Sequence, residues 1–324
     1  MTTDKTLSAP PGIAAPGVNG AGETPAPGDA KPAVVSGAPK PAGSLLTAMT
    51  QRPTLRMISA GVTLIGIFLL GLVGYLYGLS GIQEARAQHT LYATFRLELG
   101  NLGSGTQIAP IAATTPGAPV ALLNIPAIGI YKTVVVEGTS PENVALGPGH
   151  LRYTPLPGEF GVSVIFGRRA TFGAPFGRLT QLKKGDKITT ITGQGKATYV
   201  VMAKGDSTHV VEDPDPNRLL LFTACSAAVP STYCYYDADL TSNPQQDPGG
   251  RPPVSSAELP LAGDSGVLVV TLIWGLALVI ISAAGTIAAA RWSPWLAYLA
   301  AAPLALAVLW NLYQSLAALL PNLY

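Results

Sequence analysis

The run Lys187-Ile-Thr-Thr-Ile-Thr-Gly-Gln-Gly-Lys-Ala-Thr-Tyr-Val-Val-Met-Ala203 is typical of the middle of this 324-residue chain. It contains two short, β-branched segments, Lys187–Thr192 and Thr198–Ala203, which are separated by glycines. Further short apolar segments bounded by Gly, Pro or Asp surround it: Tyr131–Val136, Val162–Phe166, Leu219–Thr223 and Tyr233–Leu240. Because no long amphipathic helix interrupts these segments, they predict an all-β barrel or sandwich over residues 120–240.

Three stretches of the chain contain no charged residue: Ile58–Ile82, Val267–Ala290 and Trp295–Leu320. Each has 24 to 26 residues, which at about 1.5 Å per residue is enough to cross a hydrocarbon core of about 30 Å. We therefore predict three transmembrane helices, over residues 57–82, 267–290 and 295–320. A cleaved signal peptide is the alternative for the first, but its apolar stretch is too long and begins too late in the chain.

The basic residues beside these stretches indicate their orientation in a plasma membrane. Arg52 and Arg56 precede the first stretch, and Arg291 lies in the connection between the second and the third. Because basic residues favour the cytoplasmic side of a membrane, the N-terminus is expected in the cytoplasm. The β-domain and Pro321–Tyr324 are then expected outside the cell.

The remaining segments predict a tail and two connections. Residues 1–56 are rich in Pro, Ala and Gly and predict a disordered cytoplasmic tail, since they cannot bury enough apolar surface to fold. Residues 83–119 predict a helical stalk followed by a linker, because apolar residues recur with helical spacing from Leu91 until Gly100. Residues 241–266 are rich in Pro and Gly and predict a linker to the second span.

Composition excludes several functional classes. Charged residues are 12% of the chain and the formal net charge is +2, so a strongly basic nucleic-acid binder is excluded and no nucleic-acid partner is expected. Two cysteines exclude a disulfide-rich scaffold and a four-cysteine metal site. Glu212, Asp213 and Asp215 form an acidic turn but not a complete ligand set. No metal or other cofactor is therefore expected.

Few side chains in the β-domain have chemical reactivity. Cys225 and Cys234 lie nine residues apart on adjacent predicted strands, and this spacing predicts a disulfide outside the cytoplasm. The alternative is a nucleophilic thiolate at Cys225, which requires a nearby base such as His150 or His209. For each of these histidines, a structural or solvated loop position is the simpler interpretation. The pair Arg168-Arg169 could grip an anion, although a surface basic pair is the simpler interpretation.

One continuous region of the β-domain resembles the sortase family. The resemblance rests on Gly149-His-Leu-Arg-Tyr-Thr-Pro-Leu-Pro-Gly-Glu-Phe-Gly161, on Val164–Phe176, on Leu123–Ile130 and on Arg218–Thr223. It is similar to the housekeeping, class E-like branch of actinobacteria, which includes an N-terminal anchor. The resemblance implies an eight-stranded β-barrel outside the membrane. It also implies a cysteine transpeptidase that cuts a sorting signal in surface proteins and passes the acyl group to an amine.

The catalytic His, Cys and Arg of that family are all replaced in this chain. The family's Gly-His-Arg falls on Gly-Arg-Arg, with Arg168 at the position of the histidine. Its Thr-Cys falls on Thr-Ala, with Ala224 at the position of the nucleophile. The arginine position falls on Thr232 or Tyr233. Alanine has no nucleophilic group, and arginine cannot act as a general base at neutral pH.

These replacements predict a pseudosortase that acts as a binding or assembly module at the cell envelope. Its partner would be another envelope protein or a sorting-signal-like peptide. The groove residues expected to contact that partner are Arg168, Arg169, Thr223 and Tyr233. The alternative is a divergent transpeptidase that uses Cys225, which a β-bulge would turn towards the reactive face, with His150 or His209 as its base.

Small and polar residues within the apolar stretches predict close helix packing. These residues are Gly74, Gly78, Ser282, Gly285, Asn311 and Gln314. They predict either assembly with a membrane partner or packing of the three spans against one another.

Overall fold

The structure is a computed structural model that describes residues 53–101, 115–211, 214–226 and 231–324. The chain divides into two compact units, Met1–Ser59 and Ala60–Tyr324. The predicted cytoplasmic tail lies outside the described residues, except for the few that begin the first helix. Residues 102–114 of the predicted linker also lie outside them.

The helices occupy the regions in which the uncharged stretches, and the helical spacing after the first stretch, predict them. They are α1 (Pro53–Gly74), a π-helical turn (Tyr75–Leu79), α2 (Ser80–Asn101), α3 (Leu268–Arg291) and α4 (Pro294–Ala318). The continuous helix Leu55–Asn101 and the helices α3 and α4 are long and apolar enough to cross a membrane. The prediction of three such helices is confirmed.

The middle of the chain forms a closed eight-stranded barrel with the strand order β1-β2-β3-β4-β7-β8-β6-β5. Its strands are β1 (Pro119–Ile125), β2 (Ile130–Glu137), β3 (Gly149–His150), β4 (Val162–Phe166), β5 (Lys187–Thr192), β6 (Gly195–Asp206), β7 (Arg218–Ala224) and β8 (Tyr233–Leu240). The pairs β2–β3 and β4–β7 are parallel, and the other pairs are antiparallel. The prediction of an eight-stranded barrel is therefore confirmed.

Alternating side chains along the strands fill the barrel. In β5 and β7 every second residue is buried, as expected for strands with one face towards a core. Ile188, Tyr199, Leu219 and Tyr236 belong to this core cluster. Burying an aliphatic side chain of this size contributes about 1.5–3 kcal/mol relative to leaving it exposed. The alternation of buried and exposed side chains along the strands therefore also stabilises the barrel.

Helix α2 lies against the outside of the barrel. Phe95 is fully buried in a cluster with Leu122 of β1 and Val134 of β2. The Gln88 side chain accepts a hydrogen bond from the Val134 amide (2.8 Å) and donates to the carbonyls of Val134 (3.0 Å) and Leu146 (2.8 Å). The helix is thus attached by Phe95, by the half-buried Leu91, Tyr92 and Leu99 that pack on the same cluster, and by one side-chain amide that pairs with backbone groups of the barrel domain.

The segment that follows β8 also lies on the barrel and is not a free connection. The Gln245 amide donates to the Gly158 carbonyl (2.7 Å), and the Gln245 carbonyl accepts from the Phe160 amide (3.0 Å). Arg251 forms an ion pair with the buried Glu159 at 2.8 Å. Burial raises the pKa of Glu159, and the hydrogen bond from Arg251 acts in the opposite direction. This Pro- and Gly-rich segment thus has irregular backbone that packs against the barrel.

The helices pack at some of the small and polar residues that we singled out, but not at all of them. A Cβ on Gly285 would lie 3.1 Å from the Ala301 side chain, so α3 and α4 approach closely there. Gln314 of α4 donates to Gln83 of α2 at 3.5 Å. The others make no such contact with another described helix, since nothing lies near Gly74 or Gly78, Ser282 is exposed, and Asn311 donates to Ala307 of its own helix. Close packing at Gly74 and Gly78 is therefore not found within the part of the chain that the structure describes.

Candidate functional site

The ends of β4, β7 and the start of β8 meet at one corner of the barrel. Strand register places Ala224, the last residue of β7, directly opposite Tyr233, the first residue of β8. The Thr223 hydroxyl donates to the Gly167 carbonyl at 3.0 Å, which joins the end of β7 to the chain leaving β4. We refer to Thr223, Ala224 and Tyr233 as the β7 corner. The corner therefore contains two of the three positions at which the sortase resemblance expects catalytic groups.

Arg168 follows β4 and is completely buried, so the expectation of a surface basic pair is wrong for this residue. Its guanidinium donates to the Pro141 carbonyl (3.0 Å) and to the Thr171 hydroxyl (3.2 Å). The guanidinium carbon also lies 4.6 Å from the centre of the Phe172 ring. Burial lowers the pKa of Arg168 to about 9. The side chain therefore remains a cation at neutral pH and is not suited to proton transfer there.

Ala224 is buried in an apolar cluster that includes a residue from the far end of the sequence. Ala224 shares this cluster with Val164, Phe166 and Leu323, and Leu323 is 0% exposed. The half-buried Tyr233 packs against the same cluster. The isobutyl group of Leu323 is thus part of the apolar cluster at the β7 corner.

Backbone hydrogen bonds hold the segment 321–324 along the chain that leaves β4. The Leu323 carbonyl accepts from the Arg169 amide at 2.9 Å. The Tyr324 carbonyl accepts from the Thr171 amide (3.1 Å) and the Thr171 hydroxyl (2.9 Å). The Asn322 side-chain amide donates to the carbonyls of Thr139 and Leu259, both at 2.9 Å. The Tyr324 amide also donates to the Pro321 carbonyl at 3.1 Å, so the segment is a hydrogen-bonded turn whose last two carbonyls accept from the chain that follows β4.

The sequence does not indicate this contact. The segment is short and follows an apolar span, and neither its pattern nor its composition distinguishes it from an ordinary chain end. The only available signal is a single leucine and a tyrosine placed after a membrane-type helix. These two residues indicate a contact with the barrel only once the position of the β7 corner in the fold is known.

Cys225 and Cys234 form a disulfide with their Cα atoms 5.0 Å apart, as their spacing predicts. Cys225 follows Ala224, and its amide donates to the Thr232 carbonyl at 3.0 Å. Since the chain contains two cysteines and both are in this bond, it has no free thiol in this structure. The bridge joins the ends of the two strands that form the corner.

The two candidate bases are held elsewhere. His150 is buried, with Nδ1 at 3.1 Å from a Glu137 carboxylate oxygen and Nε2 at 2.9 Å from the Pro155 carbonyl. His209 is exposed in the turn after β6, with Nδ1 at 2.9 Å from the Thr208 hydroxyl. Among the described residues, neither imidazole has a hydrogen bond to Cys225. The geometry thus does not support either histidine as the base for that sulfur.

The side chain and the backbone of Arg169 have different partners. The guanidinium donates to the Thr180 hydroxyl at 3.2 Å, whereas the backbone amide binds the segment 321–324. The backbone around Arg169, not its side chain, is therefore the part that faces the corner.

The residues considered for metal binding are only partly described. Within the described ranges, no three His, Cys, Asp or Glu side chains come together to hold a metal. Glu212 and Asp213 of the acidic turn lie outside the described residues.

Comparisons with known proteins agree with this architecture. Residues 123–236 match the family model described as a sortase domain. The chain is 29% identical over 150 residues to sortase D of Bacillus subtilis (strain 168), which covers 45% of this chain. The match covers 65% of that relative, so the chain spans less than two thirds of its length.

Solved structures of sortases are also similar to this chain. Sortase E from Streptomyces avermitilis is 32% identical, with a TM-score of 0.35, over 40% of this chain and 91% of that chain. A sortase D5 transpeptidase from Clostridium perfringens is 20% identical, with a TM-score of 0.40, over 48% of this chain and 99% of that chain.

Proposed function

Because residues 123–236 are a sortase domain, we propose that this chain is a membrane-anchored pseudosortase whose barrel serves as a binding or assembly module at the cell envelope. In this proposal the chain has the fold of the family but lacks its acyl-transfer activity. It rests most heavily on one observation, which is that Ala224 is fully buried in an apolar cluster with Leu323. The sortase resemblance assigns the family nucleophile to this position.

Acyl transfer requires groups that the proposed alignment does not supply. An alanine at position 224 cannot form an acyl intermediate, because nucleophilic catalysis requires an activated hydroxyl, thiol or amine. A cationic Arg168 cannot accept the proton of a nucleophile. Tyr233 in place of the arginine removes a cationic donor for the oxyanion, and loss of one such donor typically costs about 3–4 kcal/mol of transition-state stabilisation.

The backbone around the corner supports a binding role. The amides of Arg169 and Thr171 bind the carbonyls of the turn 321–324, and Leu323 lies in the same apolar cluster as Ala224. A sorting-signal-like peptide, or an extended segment of another envelope protein, would use the same donors once this segment is displaced. Main-chain hydrogen bonds with one apolar pocket are a common means of peptide recognition.

The location of the protein is part of the proposal. Arg52, Arg56 and Arg291 favour an N-terminus in the cytoplasm of a bacterium and a barrel outside its plasma membrane. The class E-like branch of actinobacteria is the source that the motifs favour.

Incubation of the full chain, in detergent, with a sorting-signal peptide and an amine acceptor tests the proposal. We expect neither cleavage nor an acyl-protein adduct in the intact mass, whereas the sortase D5 transpeptidase from Clostridium perfringens serves as the active control. A variant truncated after Pro321 is expected to bind the peptide more tightly than the full chain. Cleavage of the peptide, or a thioester on the protein, would refute catalytic inactivity.

A second candidate function is transpeptidation by Cys225. It is favoured by the position of this half-buried residue, immediately after Ala224 at the end of β7. This function requires a reduced sulfur. Alkylation in intact cells, followed by peptide mapping without reductant, distinguishes the two functions. A labelled Cys225 supports the enzyme, and a peptide that contains Cys225 linked to Cys234 supports the pseudosortase.

A further inference from the structure

A cavity of about 340 Å³ lies where the barrel meets the helices. Four side chains with hydrogen-bonding groups line it and are only half-buried or exposed, namely Gln83 of α2, Glu142 after β2, and Asn311 and Gln314 of α4. The half-buried Trp274 of α3 lines it as well. The cavity therefore combines polar groups that a ligand can reach with one large aromatic side chain.

Part of the hydrogen-bonding capacity of these polar groups is unused. The Gln83 side-chain oxygen accepts from the Tyr75 hydroxyl (3.1 Å) and from the Gln314 amide (3.5 Å), but the Gln83 side-chain nitrogen has no partner among the described residues. The Asn311 side-chain nitrogen donates to its own helix at 2.8 Å, which leaves the side-chain oxygen open to a ligand. Glu142 forms no ion pair with any described residue. The cavity thus offers both donors and acceptors.

Two charges of opposite sign lie at this cavity. Glu142 is an exposed carboxylate, whereas Arg168 is 0% exposed, so its guanidinium cannot be reached from the cavity. An anionic ligand would be repelled by Glu142 without a contact to the guanidinium, and a cationic ligand would be repelled by the buried guanidinium. The electrostatics therefore favour a ligand that is polar but neutral.

The remaining lining is largely apolar and belongs to membrane-type helices. Val270 and Trp274 come from α3, and Ala317 comes from α4. Both helices are long and apolar enough to cross a membrane. A ligand with an apolar part beside its polar group would contact this wall, whereas a free polar solute would use only the polar lining. The wall therefore favours a lipid as the source of the polar group.

We propose that this cavity binds the sugar headgroup of a neutral membrane glycolipid. The hydroxyl groups of a sugar both donate and accept hydrogen bonds, which matches the open nitrogen of Gln83 and the open oxygens of Asn311 and Glu142. The C–H groups of a sugar ring are apolar and suit the side chain of Trp274. A volume of about 340 Å³ lies within the usual range of ligand pockets, about 300–1,000 Å³. The inference does not depend on whether the β7 corner binds a peptide.

The test uses the full chain, purified in a detergent without a sugar headgroup. In nanodiscs, phosphatidylcholine alone is compared with phosphatidylcholine supplemented with monoglucosyl diacylglycerol or with phosphatidylglycerol, and in detergent the protein is titrated with free glucose. The readouts are the thermal unfolding midpoint and retention of lipid in native mass spectrometry. A ligand that binds only the folded state raises the midpoint. We expect the glycolipid to raise it by a few degrees and to remain bound, and phosphatidylglycerol to do neither.

Matched variants identify the site. Trp274→Leu removes the aromatic ring and Asn311→Leu removes one polar group, and each is expected to weaken glycolipid binding about three- to tenfold. Trp295→Leu is the control, because Trp295 is 73% exposed at the other end of α4 and its loss should leave binding unchanged. Asn311→Leu is an apolar change within a membrane-type helix, so it keeps the test decisive should Trp274→Leu fail to fold.

The remaining outcomes also decide the proposal. Protection by free glucose that equals the protection by the glycolipid, and that Trp274→Leu removes, supports a sugar site but overturns the lipid as its source. Equal retention of phosphatidylglycerol and the glycolipid overturns the proposal. So does glycolipid binding that Trp274→Leu and Asn311→Leu both keep in full, or the absence of any effect of the glycolipid and glucose on the wild type.

Discussion

Leu323 and Ala224 belong to one buried apolar cluster, although two membrane-type helices separate the two residues in the sequence. The cluster brings a residue from the end of the sequence to the β7 corner. It also ties the end of α4 to the barrel, through the backbone hydrogen bonds that Arg169 and Thr171 donate. The corner is therefore both the proposed binding site and the joint at which the segment 321–324 attaches to the barrel.

Leu323→Ala tests this joint. Removing a fully buried leucine side chain typically costs about 2–5 kcal/mol, because the site is left with a cavity that relaxes only partly. We expect a loss of this size in the free energy of unfolding of the full chain, measured by guanidinium denaturation. Leu97→Ala is the matched control, because Leu97 of α2 is 69% exposed and its loss is expected to change stability by less than about 0.5 kcal/mol. Equal effects of the two variants would contradict the packing.

The disulfide between Cys225 and Cys234 is expected to stabilise the barrel. Closing a loop of this sequence separation removes chain entropy from the unfolded state that corresponds to about 2–3 kcal/mol. The double variant Cys225→Ser/Cys234→Ser should lose this amount in chemical denaturation. Wild-type protein denatured with a reductant should lose the same amount, and an unchanged midpoint in either case would show that the bridge does not stabilise the fold.

Gln88 is expected to anchor α2 to the barrel. Gln88→Ala leaves the Val134 amide and the carbonyls of Val134 and Leu146 without their partner, and an unsatisfied buried group costs about 1–3 kcal/mol. Hydrogen exchange at the Val134 amide should accelerate. His89→Ala, an exposed neighbour on the same helix, serves as the control and should leave that exchange unchanged. Slow exchange in Gln88→Ala would contradict the role.

Asp206 is expected to contribute to acid sensitivity. The hydroxyl and amide of Thr208 and the amide of His209 hold the pKa of Asp206 below its usual range. The folded state thus binds fewer protons at this group than the unfolded state. Its stabilising effect is present above the unfolded pKa of about 3.9 and is lost as the pH falls through the folded pKa.

The check is to compare Asp206→Asn with wild type across pH. The variant should be less stable near neutral pH, and the difference should shrink as the pH falls below about 4, because the unfolded wild-type chain then takes up a proton at this group while the folded chain does not. Glu142→Gln, at an exposed position, controls for the removal of a surface carboxylate. A difference that is independent of pH would contradict the assignment to Asp206.

Elements that depend on neighbouring residues were predictable. Uncharged runs located α3 and α4, and β-branched runs located β4, β5 and β8 with the bounds that the structure has. The disulfide was predictable because it joins the ends of two strands that are consecutive in the chain. The two-residue strand β3 was not, since Gly149–His150 is too short to form a pattern.

Features that depend on distant contacts were not predictable. Arg168 reads as a surface residue, and its burial becomes visible only when the loop through Phe172 lies against Ser80 of α2. Leu323 gives no local indication that it belongs to the same apolar cluster as Ala224. The hydrogen bonds between the Gln88 side chain and distant backbone groups likewise produce no recognisable pattern in the sequence.

The late position of Leu323 in the sequence has a consequence for biosynthesis. The last strand of the barrel ends at Leu240, so all eight strands leave the ribosome well before Leu323 has been translated. At about 5–20 residues per second, the interval lasts several seconds. During this interval the strands of the nascent barrel are available for folding, whereas the leucine that joins the Ala224 cluster has not yet been synthesised.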